Sequence, residues 1–417
     1  MTRSALPPAQ AASAASRQAS LARAEFTLVA VMVFLSPVNY LRLSQAYITL
    51  SDAFAVACVL LMLAAGRVQL RPLGEASGLW FGSVLLLLAG FAGGSILQGD
   101  AVSGALGICQ YFVSLVLLPM LLLRRSRAET VLLIKLLILS LVLIVIHGIY
   151  YVEFHPSDSR FVSGNGRMRS LIQRTNATGT MIAAGIVFAL WLRSVRALSL
   201  WLTVLILLLL TCGLLLTGSN TGFLIASAGV VCLALCRGSL RLAAAVLLFA
   251  AAAATAVYFW GEQFLPEVFQ KRVLGALRSG SLMQAGTFDG RLELMREAVA
   301  LANDTIWLGL GLDQYRVVSA HGAPVHNAYL LVLAEGGLVS LLGLSGLLLS
   351  GIWVAWQGLF VRGDVNAAAL TVTVVLMLAL VLTGVAHFYA RFWMVPWFLA
   401  LAASLAPDPA RGAAPPG

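Results

Sequence analysis

The sequence predicts an all-α polytopic membrane protein of about twelve transmembrane helices, and three observations carry that expectation. Of its 417 residues, 60% are hydrophobic and 11% charged, a balance foreign to soluble domains. Apolar runs of roughly 18 residues or more recur from Phe26 to Leu405, each long enough to cross a hydrocarbon core as a helix. The runs are unbroken instead of alternating, which excludes a membrane β-barrel.

In chain order the expected spans are 24–41, 47–66, 78–97, 104–123, 129–151, 175–192, 198–217, 219–236, 241–260, 328–357, 366–386 and 392–406. The tenth exceeds one simple crossing and is expected to begin outside the bilayer. Residues 1–23 and 407–417 read as disordered tails, and 24–406 as one transmembrane domain. No small-residue cleavage site follows Phe26–Val38, so the first span reads as a retained helix.

Arginines set the expected orientation. With the N-terminus in the cytoplasm, short loops on that side hold Arg67, Arg71, Arg124, Arg125, Arg127, Arg193, Arg196, Arg237, Arg241 and Arg362, against Arg42 and Arg391 on the other. This asymmetry is the positive-inside pattern. It places both termini in the cytoplasm and leaves two long segments, 152–174 and 261–325, on the far side.

Several function classes recede on the same grounds. Cys58, Cys109, Cys212, Cys232 and Cys236 all lie in apolar spans without a CxxC pair, so no disulfide framework and no metal site is expected. The absence of an internal repeat or of paired broken helices weighs against a repeat-built transporter. Nucleic acid is a poor partner, because the loop cations lack interleaved aromatics.

The loop cations themselves are the main clue. The first loop has Arg160, Arg167, Arg169 and Arg174 against Glu153 and Asp158; the second has Lys271, Arg272, Arg278, Arg291, Arg296 and Arg316 among acidic residues. Part of this charge is ordinary solvated surface. The remainder suits an anion, since guanidinium forks bind phosphate bidentately and stay charged when desolvated. Arg167, Arg169 and Arg174 crowd the start of the sixth span, whose free N–H groups favour a diphosphate at the membrane surface.

Within the second loop, 291–303 reads as a helix with Leu292, Met295, Ala298, Val299 and Ala302 on one stripe and Thr287 or Asp289 as its cap. His326, in His321-Gly-Ala-Pro-Val-His326-Asn327, stands where the loop re-enters the membrane, either as an interface residue or as a proton acceptor. Asn327 is a cap or a substrate hydrogen bonder, with His321 nearby. Glu335 is nine residues on from His326 and on nearly the opposite face of a continuous helix; a break at Gly336-Gly337 would change that. Arg391, between Tyr389 and Trp393, reads either as a cavity-facing cation or as an interfacial anchor.

These residues resemble the O-antigen ligase and polymerase family of bacterial membrane glycosyltransferases. Its His-Asn pair and following Glu-x-Gly appear as His326-Asn327-Ala-Tyr-Leu-Leu-Val-Leu-Ala-Glu335-Gly336-Gly337, and its arginine helix with a Gly-x-Gly turn as Arg291 through Gly309-Leu-Gly311. Two places depart from the pattern: Ser219-Asn220-Thr221 lacks the usual cation, and Ile306 replaces a proline. The resemblance covers most of the chain. It implies an inverting, metal-independent and cofactor-free transfer of a glycan from undecaprenyl diphosphate to a sugar hydroxyl of lipid A core, at the periplasmic face of the inner membrane among membrane lipid. His326 and Arg291 would be catalytic; Arg167, Arg169, Arg174 and Arg391 would bind the diphosphate; Asn327, Glu335 and His321 would support them. A polymerase acting on a growing glycan is the sister reading. A lipid-linked sugar flippase or transporter, the alternative class, would need polar residues at mid-membrane, whereas the ionisable residues here gather at one mouth.

Overall fold

The computed structural model describes residues 8–43, 48–238 and 288–406, with isolated positions between 244 and 270. Its helices are α1 (Pro8–Leu35), α2 (Leu50–Ala64), α3 (Ser77–Leu97), α4 (Ala101–Phe112), α5 (Leu118–Leu122), α6 (Arg127–Phe154), α7 (Thr175–Ser194), α8 (Leu200–Thr217), α9 (Asn220–Cys236), α10 (Phe288–Asp304), α11 (Tyr315–Val318), α12 (Ala328–Trp356), α13 (Val365–Leu382) and α14 (Arg391–Leu405). A two-residue ladder, β1 (Arg42–Leu43) antiparallel to β2 (Ile48–Thr49), closes the α1–α2 corner.

Among the described residues, eight helices are long and apolar enough to cross a membrane, and α2, α9 and α14 are shorter apolar helices. Together they fall on every expected span except 241–260, most of which lies outside the described residues. The N-terminal boundary differs most from expectation. α1 already begins at Pro8, inside the stretch read as a disordered tail, because its alanine-rich sequence has high helix propensity and extends the span backwards. The other tail, 407–417, lies outside the described residues.

Small residues bring the helices together. α7 is buried along almost its whole length, and a Cβ on Gly179 would stand 2.7 Å from the Ser219 Cβ. α3 and α12 approach in the same way, since a Cβ on Gly343 would lie 2.4 Å from the Leu87 nitrogen. Such contacts let backbones pack closely where lipid offers no hydrophobic drive between helices. α14 is buried on all sides, so a 15-residue helix is shielded by its neighbours.

α12 is not continuous. Gly337 adopts φ 64° and ψ −167°, a conformation open to glycine and strained for other residues. The backbone groups released by this break find partners in the segment before it. Leu310 N donates to Ala334 O at 2.9 Å, Gly311 N to Glu335 O at 2.9 Å, and Leu338 N to Ile306 O at 2.8 Å. The Gly309-Leu-Gly311 turn is therefore a plug for a broken helix. Position 306 contributes its carbonyl, which isoleucine supplies as well as proline.

A methyl group at Gly337 would stand 2.2 Å from the Trp307 carbonyl carbon, while one at Gly164 would meet nothing within 4 Å. Gly337→Ala is expected to lower the unfolding midpoint in detergent through backbone strain of about 1–3 kcal/mol plus that clash. Gly164→Ala should leave the midpoint in place.

Candidate active site

The amphipathic α10 is held over the first turns of α12. Leu294, Ala298 and Ala302 pack with Tyr315, Val325, Leu331 and Ala334 in a satellite cluster beside the main core. This corrects the expected stripe: Leu292 and Val299 are 39% and 46% exposed, and Leu294 takes the inner position. The helix is turned because Glu297 also faces inward. Its carboxylate accepts from Tyr315 Oη at 2.8 Å, Ser319 Oγ at 2.7 Å and Ala320 N at 2.8 Å. Burial pushes the Glu297 pKa up, but these hydrogen bonds outweigh it and hold the carboxyl below its ordinary value. Glu297 thereby pins the run toward His326. Of the two expected caps, Thr287 lies outside the described residues and Asp289 lies inside the helix.

His326 follows this pinned segment. Its Nδ1 is 3.1 Å from Pro324 O, and a carbonyl can only accept, so Nδ1 carries the proton and Nε2 keeps its lone pair. Partial burial of the ring lowers its pKa below 6.5, the positive charges of Arg291 and Arg174 act in the same direction, and the Pro324 bond opposes them. The imidazole is thus neutral at neutral pH, with one nitrogen free to accept a proton. Asn327 is the cap of α12, accepting from Tyr329 N at 3.1 Å and Leu330 N at 3.2 Å.

The arginines separate into committed and open groups. Arg167 is buried, donating to Thr217 O at 2.7 Å and Asn176 Oδ1 at 2.8 Å, and Ser219 Oγ donates to the same Asn176 oxygen at 3.2 Å. The corner at Ser219-Asn220-Thr221, which lacks its own cation, thus receives one from the first loop. Arg169 donates to Ser159 O at 3.0 Å. Arg160 and Arg316 are paired with Asp158 and Asp313. Arg391 is buried in an ion pair with Asp52 and donates to Gln110 Oε1 at 2.6 Å, so it joins α2, α4 and α14 and its guanidinium is occupied. Arg174, at the cap position of α7, and the half-buried Arg291 have no side-chain hydrogen bond or ion pair to other described residues. Both are close enough to His326 to shift it.

Glu335 is fully buried behind the break. Its Oε1 accepts from Tyr315 N at 3.2 Å, and its Oε2 has no partner among the described residues. It positions the turn that precedes His326. His321 is exposed beside Glu297, its backbone N donating to Ser319 Oγ at 3.2 Å. Three participants gave no sequence signal as a set: Glu297, Asp52 and His387. The loop between α13 and α14 places His387 within reach of Arg174, Asp313 and Arg316. Burial pushes its pKa down to about 4, Asp313 opposes this, and the two arginines add to it.

The fold and site define a multi-pass membrane protein with an arginine-flanked histidine at one mouth of the bundle. Residues 204–345 match the family model described as O-antigen ligase. This stretch runs from α8 through the broken part of α12 and holds Arg291, the Gly309-Leu-Gly311 turn, His326, Asn327 and Glu335. Over residues 204–345 the chain is thus similar to an O-antigen ligase family domain. The match is shorter than the resemblance drawn from the sequence, leaving Arg167, Arg169, Arg174 and Arg391 outside it. No curated protein matches the chain.

Removing one partner of a buried ion pair costs roughly 3–5 kcal/mol. Asp52→Ala and Arg391→Ala are therefore expected to lower the unfolding midpoint by similar amounts, with any effect on lipid-diphosphate binding explained by the loss of folded protein. Equal stability with selectively lost binding in Arg391→Ala would place that guanidinium on the ligand instead.

Proposed function

We propose that this chain is an O-antigen ligase-type enzyme, transferring a glycan from undecaprenyl diphosphate to a sugar hydroxyl of lipid A core at the periplasmic face of the inner membrane. The observation that carries this reading is His326, whose Nδ1 bonds Pro324 O and whose pKa is lowered by burial and by the charges of Arg291 and Arg174. Each half of the reaction then has a group to serve it.

The acceptor hydroxyl oxygen attacks the anomeric carbon as the bond from that carbon to the diphosphate oxygen breaks. The hydroxyl proton passes to His326 Nε2, and undecaprenyl diphosphate leaves with the bonding electron pair. Attack opposite the leaving group inverts the anomeric centre. Arg291 and Arg174 meet the charge that grows on the leaving oxygen, an electrostatic role that is strongest where water is excluded. Proton acceptance by a positioned base contributes on the order of 10²–10⁴ in rate. Arg167 holds the start of α7, which presents Arg174, and Arg391 ties α14 to α2 and α4. With arginine neutralising the diphosphate, the transfer requires no divalent ion.

Purified protein given undecaprenyl-diphosphate-linked glycan and lipid A core in EDTA should modify the core. His326→Ala should slow transfer by about 10²-fold or more without loss of folded protein, and Arg291→Ala should also be impaired. Lengthened lipid-linked glycan with no modified core would make the enzyme a polymerase. Movement of lipid-linked sugar across a liposome without either product would replace the enzyme reading by transport.

A further inference from the structure

A second polar site lies at the far end of the bundle. α6 links the two ends, its 28 residues spanning roughly 42 Å from Arg127 to Phe154, past the turn where His147 meets Ser170 of the first loop. Near Arg127, the middle of α1, the start of α6, the end of α2 and the turn after α5 enclose a cavity of about 160 Å³. Its polar lining is Glu25, Arg67, Gln69, Arg124, Arg125 and Glu129.

Internal pairing accounts for most of these groups. Glu25, 4% exposed, pairs with Arg125 at 2.7 Å and with Arg67 at 3.4 Å. Arg125 also donates to Leu121 O. One oxygen of Glu129 accepts from the backbone and hydroxyl of Ser126 in a capping box. Two groups are left over. Arg124 has no carboxylate partner among the described residues and reaches only Arg71 O, at 3.4 Å. Gln69 Oε1 is buried with no donor among the described residues. Arg124 moreover holds φ 58°, a left-handed conformation that is strained for a non-glycine residue.

The cavity thus offers surplus positive charge and an unsatisfied acceptor together. Beside it, the outer face of α2 is apolar and exposed at Val56, Leu60 and Leu63. A ligand that completes all three features carries an anion, a hydrogen-bond donor and hydrocarbon. Basic pockets between membrane helices commonly seat lipid head groups.

We propose that this cavity seats the head group of a bilayer phospholipid, with its phosphodiester on Arg124 and Arg67, a donor of the same head group on Gln69 Oε1, and its acyl chains along α2. Phosphatidylethanolamine and phosphatidylglycerol both supply such a donor, as an ammonium or a hydroxyl. Phosphatidylcholine has none, and inorganic phosphate has no chains. The site is independent of the transfer reaction.

The test uses the delipidated full chain in detergent and reads the unfolding midpoint, which rises with any ligand that favours the folded state. Phosphatidylethanolamine and phosphatidylglycerol should each raise it, while phosphatidylcholine and inorganic phosphate should not. Arg124→Gln should abolish both shifts, and Gln69→Met should remove the advantage of the two donor lipids over phosphatidylcholine. The second variant decides the matter if the first does not fold. Equal stabilisation of the unmodified protein by all three lipids, a response to phosphate alone, a response to phosphatidylglycerol only, or a preference that survives both substitutions would overturn the assignment.

Discussion

Backbone that leaves a helix inside a membrane protein must find hydrogen-bond partners within the protein, and the break at Gly337 imposes that demand on α12. The demand is met by residues 306–311, whose amides and carbonyl replace the missing rungs of the helix ladder. Docking this segment fixes the turn that follows, and Tyr315 N then seats on the buried Glu335. Tyr315 and Ser319 in turn engage Glu297 on α10, which carries Arg291. One chain of contacts therefore runs from the helix break to both His326 and the cation beside it. The Glu-Gly-Gly and Gly-Leu-Gly elements are two halves of one joint.

Charge at this mouth of the bundle is sorted by burial. The guanidiniums of Arg167 and Arg391 are desolvated and satisfied by fixed acceptors, so they hold elements together. Arg174 and Arg291 remain open, and both act on His326. Placing uncommitted cations beside a neutral imidazole is unfavourable for an imidazolium and favourable for an anion. In the proposed reaction, the arrangement that lowers the pKa of His326 would also suit the neighbouring space to a diphosphate.

Helix positions were legible in the sequence because apolar runs report length directly, and the His-Asn and Gly-rich motifs were legible as a local pattern. The break at Gly337 could be suspected from two adjacent glycines, yet its filling by residues 306–311 depends on a tertiary contact that no periodicity encodes. Arg391 and Asp52 are far apart in sequence, and neither residue announces the other. The face of α10 was misplaced because the hydrophobic stripe ignored Glu297, a carboxylate that turns inward to polar partners. Arginine composition showed that the loops are cationic, whereas which arginines are occupied is visible only once the acceptors are in place.

The most direct test of the central claim, that open arginines act on a basic His326, is the pH dependence of kcat/KM for transfer by the unmodified protein and by Arg291→Gln. A base must be neutral to accept a proton, so activity should fall as pH drops through an apparent pKa below the ordinary histidine value of 6.5. Removing the Arg291 charge takes away one cause of the lowering, and the acid limb should move to higher pH in the variant. An acid limb that stays in place, or that persists in His326→Ala, would contradict the account.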